Sequence, residues 1–306
     1  MSDQLRFDGR VAIVTGAGTG LGRSHALLLA SRGATVVVND LDAPDASAAA
    51  ETAVAAIHDA GGSAIVHLAD VSTVDGANGL VAAALDRFGR LDIVVNNAGL
   101  LRAADFAEMT AELFDRVVAV NLRATFLVAH AAWTPMSAAA YGRIISTTSN
   151  SGLLGTAGST AYAAAKAGVW GLTRSLALEG RKLGINVNAI APIAFTAMSM
   201  TSRIAPAAWR SGEGDAWSRR LDVGLVSPAV AWLAHPDCTL TGQVLSVAGG
   251  RVARFAMGLT TGFDSPALTV EDMRDNEAEL LSGDAVDFYR RAADEGTELR
   301  ARLLGG

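Results

Sequence analysis

Two residue types that are scarce in this sequence stand one helical turn apart. The 306 residues contain three tyrosines and only two lysines, yet "STAYAAAKAG" (159–168) places Tyr162 four residues before Lys166. Residues four apart share one face of a helix. An ammonium about 4 Å from a phenol, at an effective dielectric of about 20, would lower the phenol pKa from about 10 by about three units. The pair therefore predicts a tyrosine that exchanges protons at neutral pH, and an exposed pair on an amphipathic helix is the alternative.

A glycine-rich turn is the second candidate site. The segment "TGAGTGLG" (15–22) places Gly16, Gly20 and Gly22 after a predicted strand and at the start of a predicted helix. Glycines in that context let backbone amides approach a pyrophosphate at a helix N-terminus. The turn therefore predicts a dinucleotide site, and a tight structural turn is the alternative.

Two aspartates follow the next two predicted strands. Asp40 lies about twenty residues beyond the glycine turn, where a carboxylate binds both ribose hydroxyls and repels a 2′-phosphate. The sequence thus favours NAD over NADP, although Arg23 in the first helical turn argues for a phosphate. Asp70 is placed to bind the adenine amino group, and capping of the helix that begins near Thr73 is the alternative.

The elements that must position these residues alternate along the chain. The sequence predicts strands at 10–15, 34–40, 64–70, 91–97, 142–147, 185–191 and 243–248. It predicts helices at 20–32, 45–60, 73–88, 110–134, 160–181 and 226–235. Apolar strands separated by helices form a parallel sheet that is covered on both faces. We therefore expect an α/β fold, a doubly wound seven-stranded parallel sheet of Rossmann type, with ligands at the carboxyl ends of the strands.

Two regions depart from this alternation. Residues 193–224 are irregular, which favours a lid over a bound substrate, with a surface excursion as the alternative; the large side chains there are Met198, Met200, Trp209 and Trp217. Residues 251–306 follow the last strand and include "LTVEDM", where Thr269 and Asp272 predict a capping box. We expect a dinucleotide-binding and catalytic domain over 1–250 and a helical extension over 251–306, packed on that domain or on a neighbouring subunit.

Composition disfavours several other classes of protein. The net charge of −6 argues against nucleic acid as a partner, and the single cysteine, Cys238, cannot form an internal disulfide. The histidines are scattered, so no metal site is expected. The N-terminus lacks the pattern of a signal peptide, no run resembles a membrane span, and "RLLGG" at the C-terminus is no peroxisomal signal. We expect a cytoplasmic protein that binds a small molecule.

Several motifs, in order and spacing, resemble the short-chain dehydrogenases/reductases over residues 8–250. They are the glycine turn, "NNAG" (96–99), "VNLRATF" (120–126), and "STTSNSG" followed by "YAAAK", with Ser149 thirteen residues before Tyr162. The resemblance implies that Tyr162 is the general acid/base and that Ser149 binds the substrate oxygen, with Ser151 as the alternative. It implies that Lys166 lowers the pKa of Tyr162 and binds the nicotinamide ribose. Asn121 would hold a water that links Lys166 to solvent, and a buried structural amide is the alternative.

The same resemblance implies cofactor contacts along the cleft. They are Gly16, Thr19, Gly20 and Leu21 at the pyrophosphate, Asp40 and Leu41 at the adenosine ribose, Asp70 and Val71 at the adenine, Asn97 and Gly99 beneath the cofactor, and Tyr162 and Lys166 at the nicotinamide ribose. One motif departs from the family, because Pro192 is followed by Ile193 instead of glycine and the threonine comes one position early, at Thr196. We expect Ile193 and Thr196 to contact the nicotinamide carboxamide.

Two longer segments resemble one particular group within this family. "RFDGRVAIVTGAGTGLGRSHALLLASRGATVVVNDL" and "EGRKLGINVNAIAP" are similar to the dehydrogenase region of multifunctional β-oxidation enzymes, which oxidise 3-hydroxyacyl-CoA with NAD; some relatives accept hydroxysteroids. This implies NAD-linked interconversion of a secondary alcohol and a ketone by a homodimer or homotetramer. The alternatives are an NADPH-dependent ketoacyl reductase and a non-catalytic dinucleotide-sensing regulator. A hydrolase is disfavoured, because the sequence lacks a Gly-x-Ser-x-Gly motif.

Overall fold

A central sheet with helices on both faces organises the larger part of the chain. The computed structural model describes residues 4–198, 220–282, 286–289 and 291–304. The strands of this sheet are β1 (Val11–Thr15), β2 (Thr35–Asp40), β3 (Ser63–Leu68), β4 (Ile93–Asn96), β5 (Gly142–Thr147), β6 (Ile185–Ile193), β7 (Val244–Ala248) and β8 (Arg251–Phe255). They lie in the order β3-β2-β1-β4-β5-β6-β7-β8, and all pairs from β3 to β7 are parallel. The predicted doubly wound α/β fold is confirmed.

The strand order reverses between β1 and β4. The chain runs from β1 outward to β3 on one side and from β4 outward to β7 on the other, so the loops after β1 and β4 diverge. The register keeps the carboxyl ends level, because Thr15 pairs with Asn39 and Asn96 pairs with Ser146. A ligand cleft is expected outside the carboxyl ends at this reversal.

Helices cover both faces of the sheet because alternate strand residues point to opposite sides. The helices are α1 (Gly20–Ser31), α2 (Pro44–Asp59), α3 (Val74–Phe88), α4 (Ala111–Val118), α5 (Ala124–Ala138), α6 (Asn150–Leu154), α7 (Thr160–Gly180) and α8 (Ser227–Ala234). Val14 packs with buried residues of α1, α2 and α8. Its neighbour Ile13 packs on the other face with residues of α3, α5 and α7.

A wide helical turn, Ala119–Arg123, joins α4 to α5 with π-type hydrogen bonding. Helix α4, this turn and α5 form one continuous helix, Ala111–Ala138. Among the described residues it is the helix that has the length and apolar composition of a membrane span. Val117, Val128 and Met136 on this helix are fully buried inside the protein. Of its most apolar stretch 39% is buried, so packing inside the protein accounts for part of this composition, and core helices of proteins that contact no membrane have the same length and composition.

The eighth strand lies beyond the seven that the sequence predicts. Gly249 and Gly250, with φ of 55° and 83°, form a two-residue turn between β7 and β8. Two left-handed residues are what a tight hairpin turn requires. Strand β8 is a mostly exposed edge strand, so it lacks the apolar run that identifies the buried strands.

The chain divides into two compact units, Met1–Arg254 and Phe255–Gly306. The second unit contains β9 (Leu259–Thr260) paired antiparallel with β10 (Val286–Asp287), and the helices α9 (Val270–Asp275), α10 (Glu277–Leu281) and α11 (Ala292–Leu304). The predicted capping box of Thr269 and Asp272 at the start of α9 is confirmed. The domain boundary at 250, and the surface on which the extension packs, stay predictions.

The predicted lid falls mostly outside the described residues. Met200, Trp209 and Trp217 lie there, whereas Met198 is described and exposed. The role of residues 193–224 as a lid over the substrate therefore stays a prediction.

Candidate active site

The four side chains predicted to do chemistry converge at the carboxyl end of β5. Ser149 follows this strand and caps α6, where its hydroxyl accepts a hydrogen bond from the Ser151 amide at 3.2 Å. Tyr162 and Lys166 project from α7. A Cβ built on Gly152 of α6 would lie 2.6 Å from the Ala167 nitrogen, so α6 packs directly on α7.

Lys166 is almost completely buried. Its side chain is 2% exposed, and Nζ donates a hydrogen bond of 2.7 Å to the Thr147 carbonyl oxygen. Nζ lies 5.6 Å from the centre of the Tyr162 ring, which confirms that the two side chains share one face of α7. Burial lowers the pKa of Lys166 to about 7, because the charged form loses its hydration.

The pKa of Tyr162 is raised in the structure, whereas the sequence predicts that Lys166 lowers it. Burial raises the pKa of Tyr162 above its usual value, and a hydrogen bond with Ser149 opposes that rise without cancelling it. The predicted lowering by Lys166 assumed a fully charged ammonium about 4 Å away. Here Lys166 points to a backbone carbonyl, and its own lowered pKa leaves it only partly charged near pH 7. Burial, which spacing cannot reveal, causes the difference.

Asn121 is fully buried in the π turn and close to Lys166. Its Nδ2 donates to the carbonyl oxygens of Leu100 (2.7 Å) and Val117 (2.9 Å), and its Oδ1 accepts from the Leu100 amide at 3.3 Å. A Cβ built on Gly99 would lie 3.0 Å from Asn121 Oδ1 and 3.7 Å from Lys166 Nζ. Gly99, Asn121 and Lys166 therefore form one contiguous group, while the water-holding role of Asn121 stays a prediction.

The glycine turn lies at the carboxyl end of β1 and fits a pyrophosphate. Built Cβ atoms on Gly16 and Gly22 would lie 2.9 Å from Ala98 Cα and 2.1 Å from the Gly16 oxygen, so the turn has no room for side chains there. Gly20 has a φ of 54°, and a Cβ built on it would lie 3.9 Å from Thr196 Cγ2, the nearest described atom. Thr19 makes no side-chain capping bond to α1. The start of α1, with Leu21 in its first turn, thus offers uncapped amides to an anion.

Asp40 stands at the end of β2, directly beside the glycine turn. Its two carboxylate oxygens accept hydrogen bonds from the amides of Gly18 and Leu41, each at 2.9 Å. Leu41 is exposed next to it. A negative charge therefore lies where the predicted adenosine ribose would bind.

Asp70 organises the turn between β3 and α3. Its Oδ1 accepts from the Ser72 amide at 2.9 Å and the Ser72 hydroxyl at 2.6 Å. Burial raises the pKa of Asp70, but these bonds and Arg116 outweigh it, so the pKa is lower than usual. The helix cap is Thr73, which accepts from the Gly76 amide at 3.0 Å, so Asp70 itself does not cap α3. Val71 beside it is buried.

The remaining predicted contacts come from the loop after β4, which contains Asn97, and from the end of β6 and the segment after it, which contain Ile193 and Thr196. Asn97 uses its Nδ2 to donate to the carbonyl oxygens of Thr15 (3.0 Å) and Gly16 (3.1 Å), so its side chain supports the glycine turn. Thr196 lies beside Gly20 even though it comes one position early. Ile193 ends β6. The structure thus brings the nicotinamide-side residues and the pyrophosphate turn to one edge of the sheet.

Sequence reasoning missed two hydroxyls that hold the site together. Thr15 Oγ1 accepts from the amides of Asn97 and Ala98, both at 3.0 Å, and so joins β1 to the loop after β4. Thr148 Oγ1 donates to the Lys166 carbonyl oxygen at 2.6 Å. Their positions at strand ends were the available signal.

Among the described residues no group of three or more histidine, cysteine or acidic side chains is placed to hold a metal ion.

Comparison with known proteins agrees with this geometry. The family described as short chain dehydrogenase matches residues 10–207. Peroxisomal multifunctional enzyme type 2 of Mus musculus is 41% identical over 285 residues, which are 90% of this chain and 37% of the mouse protein. Hydroxyacyl-CoA dehydrogenase ChsB1 of Mycobacterium tuberculosis is 42% identical over 256 residues, 80% of this chain and 79% of that protein. A crystal structure of a short chain dehydrogenase from Mycobacterium avium superposes with a TM-score of 0.77 at 37% identity, covering 90% of this chain and 95% of that one.

Proposed function

This chain belongs to the short-chain dehydrogenase/reductase family, and from that premise we propose that it oxidises the secondary alcohol of a 3-hydroxyacyl-CoA with NAD. That it is an oxidoreductase acting on CH–OH groups follows from the family. The substrate class is supported by the relative named a hydroxyacyl-CoA dehydrogenase. The chain spans little more than a third of the mouse multifunctional enzyme, so the other activities of that protein are no part of the proposal.

Three of the four converging side chains, all but Asn121, have a direct task in this reaction. Ser149 donates a hydrogen bond to the substrate oxygen and holds it beside Tyr162. Tyr162 accepts the hydroxyl proton as general base, and returns it as general acid in the reverse direction. Lys166 stabilises the phenolate and donates to the nicotinamide ribose. NAD, when bound, supplies the hydride acceptor and a positive ring whose charge favours the phenolate.

The observation that carries the proposal is the buried state of Lys166. A lysine that is 2% exposed and bonded to a backbone carbonyl loses its hydration, and no carboxylate pairs with it among the described residues. Burying an uncompensated charge costs several kcal/mol. A buried lysine one turn from a buried tyrosine is therefore costly for stability and suited to proton transfer.

The cofactor assignment depends on Asp40. Its carboxylate is fixed at the end of β2 by the amides of Gly18 and Leu41. A ribose 2′-phosphate at this position would meet a negative charge, whereas free hydroxyls would find an acceptor. NAD is therefore the cofactor that we propose.

A substrate panel tests the proposal. We expect NADH formation, followed by absorbance, with 3-hydroxyacyl-CoA thioesters in preference to hydroxysteroids, and at least tenfold less with NADP than with NAD. Faster reduction of 3-ketoacyl thioesters with NADPH than with NADH would support the ketoacyl reductase alternative. Tight NADH binding with no turnover of any alcohol or ketone in the panel would point to a dinucleotide sensor and refute the proposal.

A further inference from the structure

Two arginines from the Asn121-bearing helix reach the turn between β3 and α3. Arg123, the last residue of the π turn, donates through Nη1 to the Ser72 carbonyl oxygen. Arg116, in the last turn of α4, places Nη1 3.6 Å from Asp70 Oδ2. Asn121 lies between these two arginines along the helix. The turn that presents Asn121 is therefore connected on both sides to the residues that precede α3.

That β3–α3 turn is itself closely organised. Ser72 is buried, and its amide and hydroxyl both donate to Asp70. The Thr73 hydroxyl donates to the Asp70 carbonyl oxygen at 2.8 Å and accepts the Gly76 amide. The Asp70 carboxylate and the Ser72 backbone are therefore joined by hydrogen bonds within one turn.

The two arginine contacts differ in strength. Arg116 and Asp70 are both substantially exposed and 3.6 Å apart, a geometry in which an ion pair contributes little. Arg123 is itself exposed, but it gives a charged donor to the carbonyl of the buried Ser72, and a charge-assisted hydrogen bond is about twice as strong as a neutral one. Arg123 is therefore the main connection.

We propose that Arg123 is a positioning residue that fixes the Asn121 π turn to the Asp70–Ser72 turn, so that binding of the adenine end of the cofactor is transmitted to Asn121. The inference rests on the proposed function and on the adenine contact expected at Asp70, and Asn121 lies beside Lys166. A π turn suits this task, because such turns are less regular than the α-helix around them and recur at functional sites. Asn121 then takes its final position through Arg123 rather than through contact with the adenine.

A double-mutant cycle tests the connection. Arg123→Met keeps the apolar stem and removes the guanidinium; we expect kcat to fall about tenfold in the wild-type background and less than about twofold in the Asn121→Ala background. Arg123→Lys restores a charged donor and should recover kcat to within about threefold of wild type. Arg181→Met is the control, since Arg181 is exposed and makes no side-chain bond in the described part of the chain. The same fall in kcat in both backgrounds would show a merely structural role and overturn the inference.

A binding measurement decides the matter independently of turnover. We expect Arg123→Met to raise the Kd of NADH about fivefold, measured by fluorescence, and to leave the Kd of reduced nicotinamide mononucleotide, which lacks the adenosine, within about twofold. An equal change for both ligands, or none for NADH, would overturn the inference. If wild type turns over no alcohol, the proposed function fails, and this comparison alone decides the role of Arg123. If the Asn121→Ala variant does not fold, the double-mutant cycle cannot be measured, and the same comparison decides the role of Arg123.

Discussion

Both carboxylate oxygens of Asp40, the residue proposed to bind the adenosine ribose, accept backbone hydrogen bonds. One carboxylate oxygen accepts the Gly18 amide, which lies inside the glycine turn, and the other accepts the amide of the next residue, Leu41. A Cβ built on Gly18 would lie 2.9 Å from Asp40 Oδ2. The charge proposed to select NAD is therefore held by two hydrogen bonds against the turn that is proposed to bind the pyrophosphate.

Replacing Asp40 should relax the choice of cofactor. Asp40→Ser removes the charge but keeps an oxygen that can accept the Gly18 amide, so we expect the ratio of kcat/KM for NAD to that for NADP to fall at least tenfold, equivalent to about 1.4 kcal/mol. Steady-state kinetics with both cofactors measures this ratio. A variant as selective for NAD as wild type would show that another group sets the preference.

Residue spacing predicted which side chains meet, but not their environment. The four-residue interval placed Tyr162 and Lys166 on one face of a helix, and the structure confirms it. The predicted direction of the Tyr162 pKa was wrong, because burial raises this pKa and the hydrogen bond with Ser149 offsets only part of the rise. The support that Asn97 gives to the glycine turn likewise depends on a contact between β1 and the loop after β4.

The contact between α1 and α8 contains a buried polar group. His25 is fully buried, its Nδ1 lies 2.8 Å from the Ser227 hydroxyl, and the same hydroxyl lies 2.7 Å from that of Ser24. Its Nε2 is buried with no partner among the described residues. Burial lowers the pKa of His25 to about 3, so the imidazole stays neutral in the folded protein.

This histidine should make the fold sensitive to acid. The unfolded chain binds a proton at His25 near pH 6.5 and the folded chain only near pH 3, so stability is lost as pH falls through that interval. At pH 5 the loss is about 2 kcal/mol of unfolding free energy. We expect His25→Gln to remove this part of the pH dependence in urea unfolding measured between pH 7.5 and pH 5.

A matched substitution controls for other titrating groups. His130 is exposed on α5, and His130→Gln should retain the wild-type acid dependence. An unchanged slope in His25→Gln would mean that His25 is hydrated or protonated in the folded protein, contrary to the buried contact.

Periodicity predicted the elements well and their irregularities poorly. The strands and helices of the sheet lie within a few residues of their predicted positions because buried β-branched runs and alanine-rich segments are strong signals. The π turn at 119–123 and the continuation of α5 to Ala138, past Pro135, left no such signal. Both depend on packing between helices rather than on local propensity.

The charge of the whole molecule is unevenly distributed. Residues 1–254 contain twenty acidic and twenty basic residues, whereas residues 255–306 contain eleven acidic and five basic ones. Residues 1–254 therefore carry no net charge, and the net charge of −6 comes from residues 255–306. An acyl-CoA, which carries phosphates, meets no general repulsion from the unit that would bind it. The cytoplasmic location stays a prediction.

Two exposed apolar side chains lie on α5 and α7, the helices on which the oligomer expectation can be tested. Phe126 is 45% exposed and Leu178 is 42% exposed. Family members usually pair helices across dimer interfaces, so we expect a dimer or tetramer in sedimentation equilibrium. Phe126→Asp should shift the assembly toward smaller species, because a charge in an apolar interface is costly. A monomeric wild-type protein at micromolar concentration would refute the expectation.

Turnover by Tyr162→Phe tests the central claim most directly. The substitution removes only the hydroxyl, so we expect kcat with a 3-hydroxyacyl-CoA to fall about a thousandfold while the Kd of NADH stays within about twofold. Tyr141→Phe is the matched control, since it removes a buried hydroxyl that has no partner among the described residues and that follows α5 rather than entering the cleft. Turnover by Tyr162→Phe within about threefold of wild type would contradict the account.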